Sequence, residues 1–114
     1  MVHEAVAAAE RLAEDGISVE VIDLRTVAPL DLGPVLDSVH KTSRLLIAHE
    51  AVMPFGIGAE IAATVAREAF WDLDAPIERV GALATPPPYA PGLEAAWLPD
   101  RTTIEAAIRH LASA

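Results

Sequence analysis

The side chains able to do chemistry are few and scattered along the chain. His49 and Glu50 stand together at the end of the apolar run Arg44-Leu45-Leu46-Ile47-Ala48. The carboxyl end of a parallel strand is where open α/β sheets gather ligands, and an imidazole beside a carboxylate can be tuned for proton transfer. Adjacent strand residues point to opposite faces, however, so the two side chains are not expected to pair. They read as an anchor for a loop or a partner rather than as a catalytic dyad. Gly56-Ile57-Gly58 follows this strand and opens a helix, the position at which phosphate sites aim backbone N–H groups. A dinucleotide fingerprint would need a third glycine where Ile61 stands, and Glu60 would set a negative charge beside a phosphate. These glycines are therefore expected to let the loop turn and the helix N-terminus pack. Asp23 and Arg25, two apart at the end of a β-branched run, read as an ion pair organising the loop to Pro29. Asp72, Asp74 and Glu78 form an acidic cluster suited to a basic partner.

Other chemistries fall away. With no cysteine there is no disulfide, thiol nucleophile or cysteine-ligated metal. His3, His40, His49 and His110 never stand four apart around a glutamate, so no metal spacing is present. Ser18, Ser38, Ser43 and Ser113 fall in a strand start, a helix, a turn and a chain end, and no G-x-S-x-G elbow holds any of them. Eight basic residues against 17 acidic ones leave a formal charge of −9, which gives nucleic acid almost nothing to bind. Lys41 is the one lysine, so no polybasic stretch can hold an anionic membrane. With neither a signal peptide nor a transmembrane run, the expected location is cytoplasmic. No catalytic, cofactor-binding or metal-binding residue is nominated.

The elements that must position these residues follow from apolar spacing. At 114 residues and 53% hydrophobic content the chain fits one domain, residues 1–114, and is too apolar to stay disordered. Val2, Ala5, Val6, Ala9, Leu12 and Ala13 recur at helical spacing, with Gly16 as the stop. Ser18 to Leu24 reads as a strand, and Asp31 as the cap of a short helix through Val39. Arg44 to Ala48 reads as a strand buried on both faces, Ile57 to Phe70 as a helix and Ile77 to Val80 as a third strand. Four prolines between Thr85 and Gly92 around Tyr89 predict extended loop. A last helix begins near Arg101, with Thr102 and Glu105 spaced as a capping box. This αβαβαβα order predicts a three-layer α/β/α fold on a mostly parallel sheet. It begins with a helix, yet in doubly wound folds the first strand is central, so a hole is expected where that strand belongs.

Taken in order, Val2-His3-Glu4-Ala5, Asp23-Leu24-Arg25-Thr26, Pro29-Leu30-Asp31, His49-Glu50-Ala51, Gly56-Ile57-Gly58-Ala59-Glu60, Pro88-Tyr89-Ala90-Pro91 and Leu98-Pro99-Asp100 resemble the C-terminal domain of the transketolase superfamily. The resemblance is strongest to the beta subunit of the first component of pyruvate or branched-chain 2-oxoacid dehydrogenases. It implies part of an α2β2 oxidoreductase that uses thiamine diphosphate and magnesium to decarboxylate a 2-oxoacid and acylate a lipoyl group. In that family the cofactor lies between other domains, so none is expected on this chain alone. The resemblance implies as partners an alpha subunit, a second beta subunit and the basic subunit-binding domain of the acyltransferase component, with Asp72, Asp74 and Glu78 in the region that meets the last of these. It makes Asp23, Arg25, His49, Glu50, Gly56, Gly58, Glu60 and Tyr89 motif residues of structural value. The family has a strand ahead of the first helix that this sequence lacks, as expected of a gene fragment, of a chain shortened by truncation or of a subunit completed by another chain. Ala84 replaces the family's usual aspartate.

Overall fold

The computed structural model describes residues 1–114. In chain order it contains α1 (Val2–Ala13), α2 (Gly33–Thr42), β1 (Leu46–Val52), α3 (Ile57–Glu68), one 3-10 turn (Phe70–Asp72), β2 (Glu78–Ala82), α4 (Pro91–Trp97) and α5 (Arg101–Ser113). β1 and β2 pair in parallel, with Leu46 opposite Glu78, Ile47 opposite Arg79 and Ala48 opposite Val80. Alternation along the strands sends successive side chains to opposite faces, and each face builds its own core. Ile47 joins Val35 and Val39 of α2 and Ile61 and Val65 of α3. On the other side Val80 packs with Ala8 and Leu12 of α1 and with Ile104 and Ile108 of α5. Two helices on each face of a parallel sheet give the expected three layers.

Local chemistry sets the helix ends. α1 stops in a Schellman motif: Gly16 adopts φ +80°, its N–H bonds to Ala13 O at 3.0 Å, and the Ile17 N–H bonds to Leu12 O at 3.0 Å. The Asp31 carboxylate accepts from the Gly33 N–H at 3.0 Å at the start of α2. Arg44 reaches across to the C-terminus of α5, donating to Leu111 O at 3.0 Å and to Ala114 O at 3.1 Å. α1 and α5 run side by side in the same direction, since Glu4 accepts from the Arg101 N–H and Asp15 pairs with Arg109.

The predicted capping box is corrected by the geometry. The N-cap of α5 is Asp100, whose carboxylate accepts from both the N–H and the hydroxyl of Thr103, while Glu105 pairs with Arg101 at 3.4 Å. The Thr103 N–H, followed by its hydroxyl, holds the Asp100 carboxyl below its ordinary value of 3.8. A carboxyl whose folded-state value is lowered stabilises the fold above its unfolded value and loses that contribution as pH falls through the lower one. Asp100→Ala should therefore lower the melting temperature at pH 7, and much less once the pH is well below 3.8. Asp100→Asn should keep most of the cap while flattening this acid-side dependence, as thermal melts at stepped pH would show.

Two expectations about elements are revised. Pro91 and Gly92, assigned to the extended loop, begin α4, because a proline in the first helical turn lacks only an N–H that the helix would leave free anyway. Trp97 at its end donates to Leu83 O at 3.0 Å and to Thr85 O at 3.2 Å, tying this helix to the loop after β2. More telling is Ser18 to Leu24, which reads as a strand and forms none. Its side chains alternate as a strand's do: Ile17 and Val19 pack into the α1/α5 core, Ile22 and Leu24 into the α2/α3 core. The backbone of Ser18 to Ile22, however, makes no hydrogen bond to other backbone. Sequence sets the pleat, but pairing needs a neighbour.

Candidate functional site

His49 lies where β1 departs from regular pairing. Ala48 faces Val80 and Val52 faces Ala82, so His49, Glu50 and Ala51 together oppose Gly81 alone. Such a bulge turns a side chain from its regular direction. The imidazole Nδ1 lies 2.9 Å from Ala51 O, which fixes the tautomer with its proton on Nδ1. That leaves Nε2 as an acceptor, and it is buried without a partner.

Three glycines enclose this ring. A Cβ on Gly58 would stand 2.5 Å from His49 Nε2, one on Gly81 2.8 Å from its Cε1, and one on Gly56 3.4 Å from Cε1. Gly56 and Gly58 open α3, and Gly81 lies in β2, so the ring binds the helix N-terminus to both strands. The sequence reading took the pair in α3 as turn and packing glycines. It missed that they and Gly81 share one object, for which three glycines within a short strand-loop-helix-strand unit were the only available signal. With Nδ1 tied to the backbone and Nε2 covered, the arrangement can position the β1–α3 loop but presents no ring nitrogen to a substrate.

The remaining candidates are dispersed. Glu50 does not pair with His49; it points outward and meets the amino group of Met1 at 3.4 Å. Asp23 and Arg25 pair at 3.1 Å, and the same carboxylate accepts from the Arg25 N–H, where the backbone turns left-handed at φ 57°. Glu60 accepts from Thr64 within α3 at 3.4 Å. Tyr89 is fully exposed. In the acidic cluster each carboxylate has a basic neighbour: His40 at 2.8 Å from Asp72, Arg44 at 3.9 Å from Asp74 and His110 at 3.2 Å from Glu78. Asp74 is the most open of the three, with 68% of its side chain exposed.

The residues present do not fit thiamine diphosphate or its metal. At the one glycine turn between a strand and a helix, the space a diphosphate would need beside Gly58 is filled by the imidazole, and Glu60 occupies the first turn of α3. No three His, Asp or Glu side chains converge to hold a metal ion.

The geometry presents two helical layers on a parallel sheet whose carboxyl end is locked by a histidine. Residues 1–104 match the family described as the C-terminal domain of transketolase, and the chain belongs to that family. Among its relatives, the pyruvate dehydrogenase E1 component subunit beta of Leifsonia xyli subsp. xyli is 50% identical over 104 residues, covering 91% of this chain and 31% of that protein. The acetoin:2,6-dichlorophenolindophenol oxidoreductase subunit beta of Cupriavidus necator is 46% identical over 109 residues, 96% of this chain and 32% of the relative. The 2-oxoisovalerate dehydrogenase subunit beta of Bacillus subtilis is 43% identical over 112 residues, 97% of this chain and 34% of the relative. The chain thus spans about a third of the length of these curated relatives.

Proposed function

We propose that the chain serves as the assembly domain of the beta subunit of a thiamine-diphosphate-dependent 2-oxoacid dehydrogenase, contributing association surface and no reacting group. The observation that carries this reading is the set of apolar side chains left open in the loops and short helix that follow the two strands. Phe55, after β1, is 102% exposed; Tyr89 is 100% exposed, and Leu83 and Leu93 are largely so. Phe55 also holds a left-handed backbone, φ 59°, which a bulky residue adopts only at a cost of about 1–3 kcal/mol. Backbone strain kept at a fully exposed aromatic residue, with Tyr89, Leu83 and Leu93 also open, supports a surface that a partner covers. The partners in this reading are an alpha subunit and a second beta subunit. No helix is long and apolar enough to cross a membrane, and the cytoplasm is the compartment we assign.

The test is a chimera in which this chain replaces the matched 104 residues of the Leifsonia xyli beta subunit, co-expressed with that enzyme's alpha subunit. The expected result is a purified heteromeric complex with the host's own substrate preference. A chimera that folds but fails to bind the alpha subunit overturns the reading. The acetoin relative supports a second possibility, a beta subunit of a related enzyme acting on a different substrate; transfer of acetoin activity with this domain would favour it. In either case Phe55→Asn should leave the domain as stable or up to about 1 kcal/mol more stable, since asparagine tolerates the left-handed backbone. It should weaken subunit association by roughly 30-fold or more if Phe55 is a hot spot of about 2 kcal/mol. Thermal melts and analytical ultracentrifugation of the assembled enzyme check the two signs.

The acidic cluster is the surface we assign to the basic subunit-binding domain of the acyltransferase component. Its existing basic neighbours reduce what Asp72 and Glu78 can offer, so Asp74→Ala should have the largest effect. An exposed pair is worth about 0.2–1 kcal/mol, and the affinity should therefore fall roughly 1.5- to 5-fold, with a smaller loss at high salt. Calorimetric titration at two ionic strengths measures this.

A further inference from the structure

Four of the six residues from Pro86 to Pro91 are proline. A proline ring holds its own φ at about −65°, and a following proline pushes the residue before it to extended ψ. Pro86 and Pro87 carry both constraints, Thr85 and Ala90 the second, and the two together define the polyproline II helix. Ala90 shows the result at φ −72°, ψ 128°, and Pro86 to Pro88 belong to no helix, strand or turn.

Both ends of the segment are fixed. The Trp97 indole donates to Thr85 O at 3.2 Å, and Ala90 O accepts from the Leu93 N–H at 3.0 Å and the Glu94 N–H at 2.9 Å as α4 begins. Between these anchors the carbonyls of Pro86, Pro87, Pro88 and Tyr89 accept no hydrogen bond from the chain. Pro86 and Pro87 are exposed, and Tyr89 is completely so. A proline has no N–H, so the strip offers apolar rings and acceptors and no donor before Tyr89. The repeat of about three residues sets Pro86 and Tyr89 on one edge, roughly 9 Å apart. Aromatic-lined grooves read this chemistry: flat rings pack on the prolines, and an indole N–H or phenol O–H donates to the free carbonyls.

A second copy of the chain is a poor complement. Of its two tryptophans, one tyrosine and two phenylalanines, Trp97 already donates to Thr85. Phe70 and Trp71, edge to face at 5.1 Å, lie at the opposite end of the sheet, where the Asp74 N–H bonds to Ser43 O ahead of β1. Docking there would join copies head to tail, which leaves the same surfaces open at each end of a growing row. A formal charge of −9 on each copy opposes it as well.

We propose that Pro86–Tyr89 is a preformed polyproline II ligand that docks into an aromatic-lined groove of the alpha subunit, whose indole or phenol groups donate to the Pro86–Pro88 carbonyls. Leu83 and Leu93, 60% and 63% exposed on either side of the segment, continue the apolar face. The proposal rests on the assembly reading above and adds which backbone is recognised and by what chemistry. Because the prolines hold the bound conformation beforehand, docking loses little chain entropy.

The test uses the chimera already described with the Leifsonia xyli alpha subunit, and a synthetic peptide of residues Leu83 to Leu93. The peptide should displace the chimeric subunit from the alpha subunit. The same peptide carrying Pro86→Gly and Pro87→Gly keeps the length and Tyr89 but frees both φ angles, and should compete at least about 10-fold more weakly. In the chimera the same two substitutions should weaken association by about 10-fold, as analytical ultracentrifugation would show. Being unfolded from the start, the peptides give a reading that a folding defect cannot imitate. If the chimera assembles but the native peptide does not displace it, or if both peptides compete equally, the proposal is overturned and the assembly reading stands. If the chimera does not bind the alpha subunit at all, both fall. A peptide that instead breaks up self-association of the chain alone overturns the alpha subunit as the partner in favour of a second copy.

Discussion

Gly81→Ala is expected to lower the stability of this domain by about 3 kcal/mol, the upper part of the range for overpacking a tight site, and the melting temperature by roughly 15 °C. The new methyl would meet the Ala51 carbonyl oxygen at 2.8 Å as well as His49 Cε1 at 2.8 Å. The carbonyl belongs to the neighbouring strand and cannot swing aside as a side chain can. Gly58→Ala collides with a different kind of object. Its methyl would stand 2.5 Å from His49 Nε2 and 2.6 Å from Cδ2, with Ile47 at 3.2 Å, so nearly all of the obstruction is one side chain. The two variants should therefore respond oppositely to a second change. Combining Gly58→Ala with His49→Ala should give a protein more stable than the sum of the two losses by over about 1 kcal/mol. Gly81→Ala should show little such relief. Urea unfolding of the three single and two double variants gives both coupling energies. Equal coupling at the two glycines would show that the imidazole is not what Gly58 accommodates.

Leu12→Ala should cost about 4 kcal/mol, near the top of the range for a large-to-small change in a core. Leu12 is 0% exposed, between α1 and α5, and does not line the apolar cleft of about 590 Å³ that lies between Ser18–Leu24 and β1. The void left by its removal is enclosed, and its neighbours are held by packed helices on either side. Ile104 is nearly as buried, at 1%, and deletes a similar volume, yet it lines the cleft. Truncating it enlarges a space that already exists. Ile104→Ala should thus cost only about 2 kcal/mol in the free chain, at the bottom of the same range. Chemical unfolding of both variants measures the difference. For a domain whose whole stability is expected to be about 5–15 kcal/mol, either loss is readily detected.

Much of the architecture was legible from spacing alone. The helical period of Val2 to Ala13 with Gly16 behind it predicted both α1 and the manner of its ending. The unbroken apolar run after Arg44 marked a doubly buried strand. The ordered motifs from Asp23-Leu24-Arg25-Thr26 to Pro88-Tyr89-Ala90-Pro91 pointed to the family to which the chain belongs. Each of these signals is local, or is a sum of local ones, and is carried by residue types whose preferences need no distant partner.

Other features depended on residues far apart in sequence. Asp100 rather than Thr102 caps α5, because a β-region backbone at residue 100 aims that carboxylate at the Thr103 N–H. Asp72, Asp74 and Glu78 read as a cluster open to a basic partner, but the fold already sets His40 of α2, Arg44 ahead of β1 and His110 of α5 beside them. The glycines on either side of Ile57 could be read as turn residues until the bulge at His49 turned the imidazole onto them and onto Gly81. By itself, then, the sequence determined most of the helical and extended segments, α4 excepted, which faces are apolar, and the family. Tertiary structure alone decided whether an extended segment becomes a strand. Alternation is written into Ser18 to Leu24, but a hydrogen-bond ladder is a property of two segments side by side, and no segment lies within backbone hydrogen-bonding distance of Ser18 to Ile22.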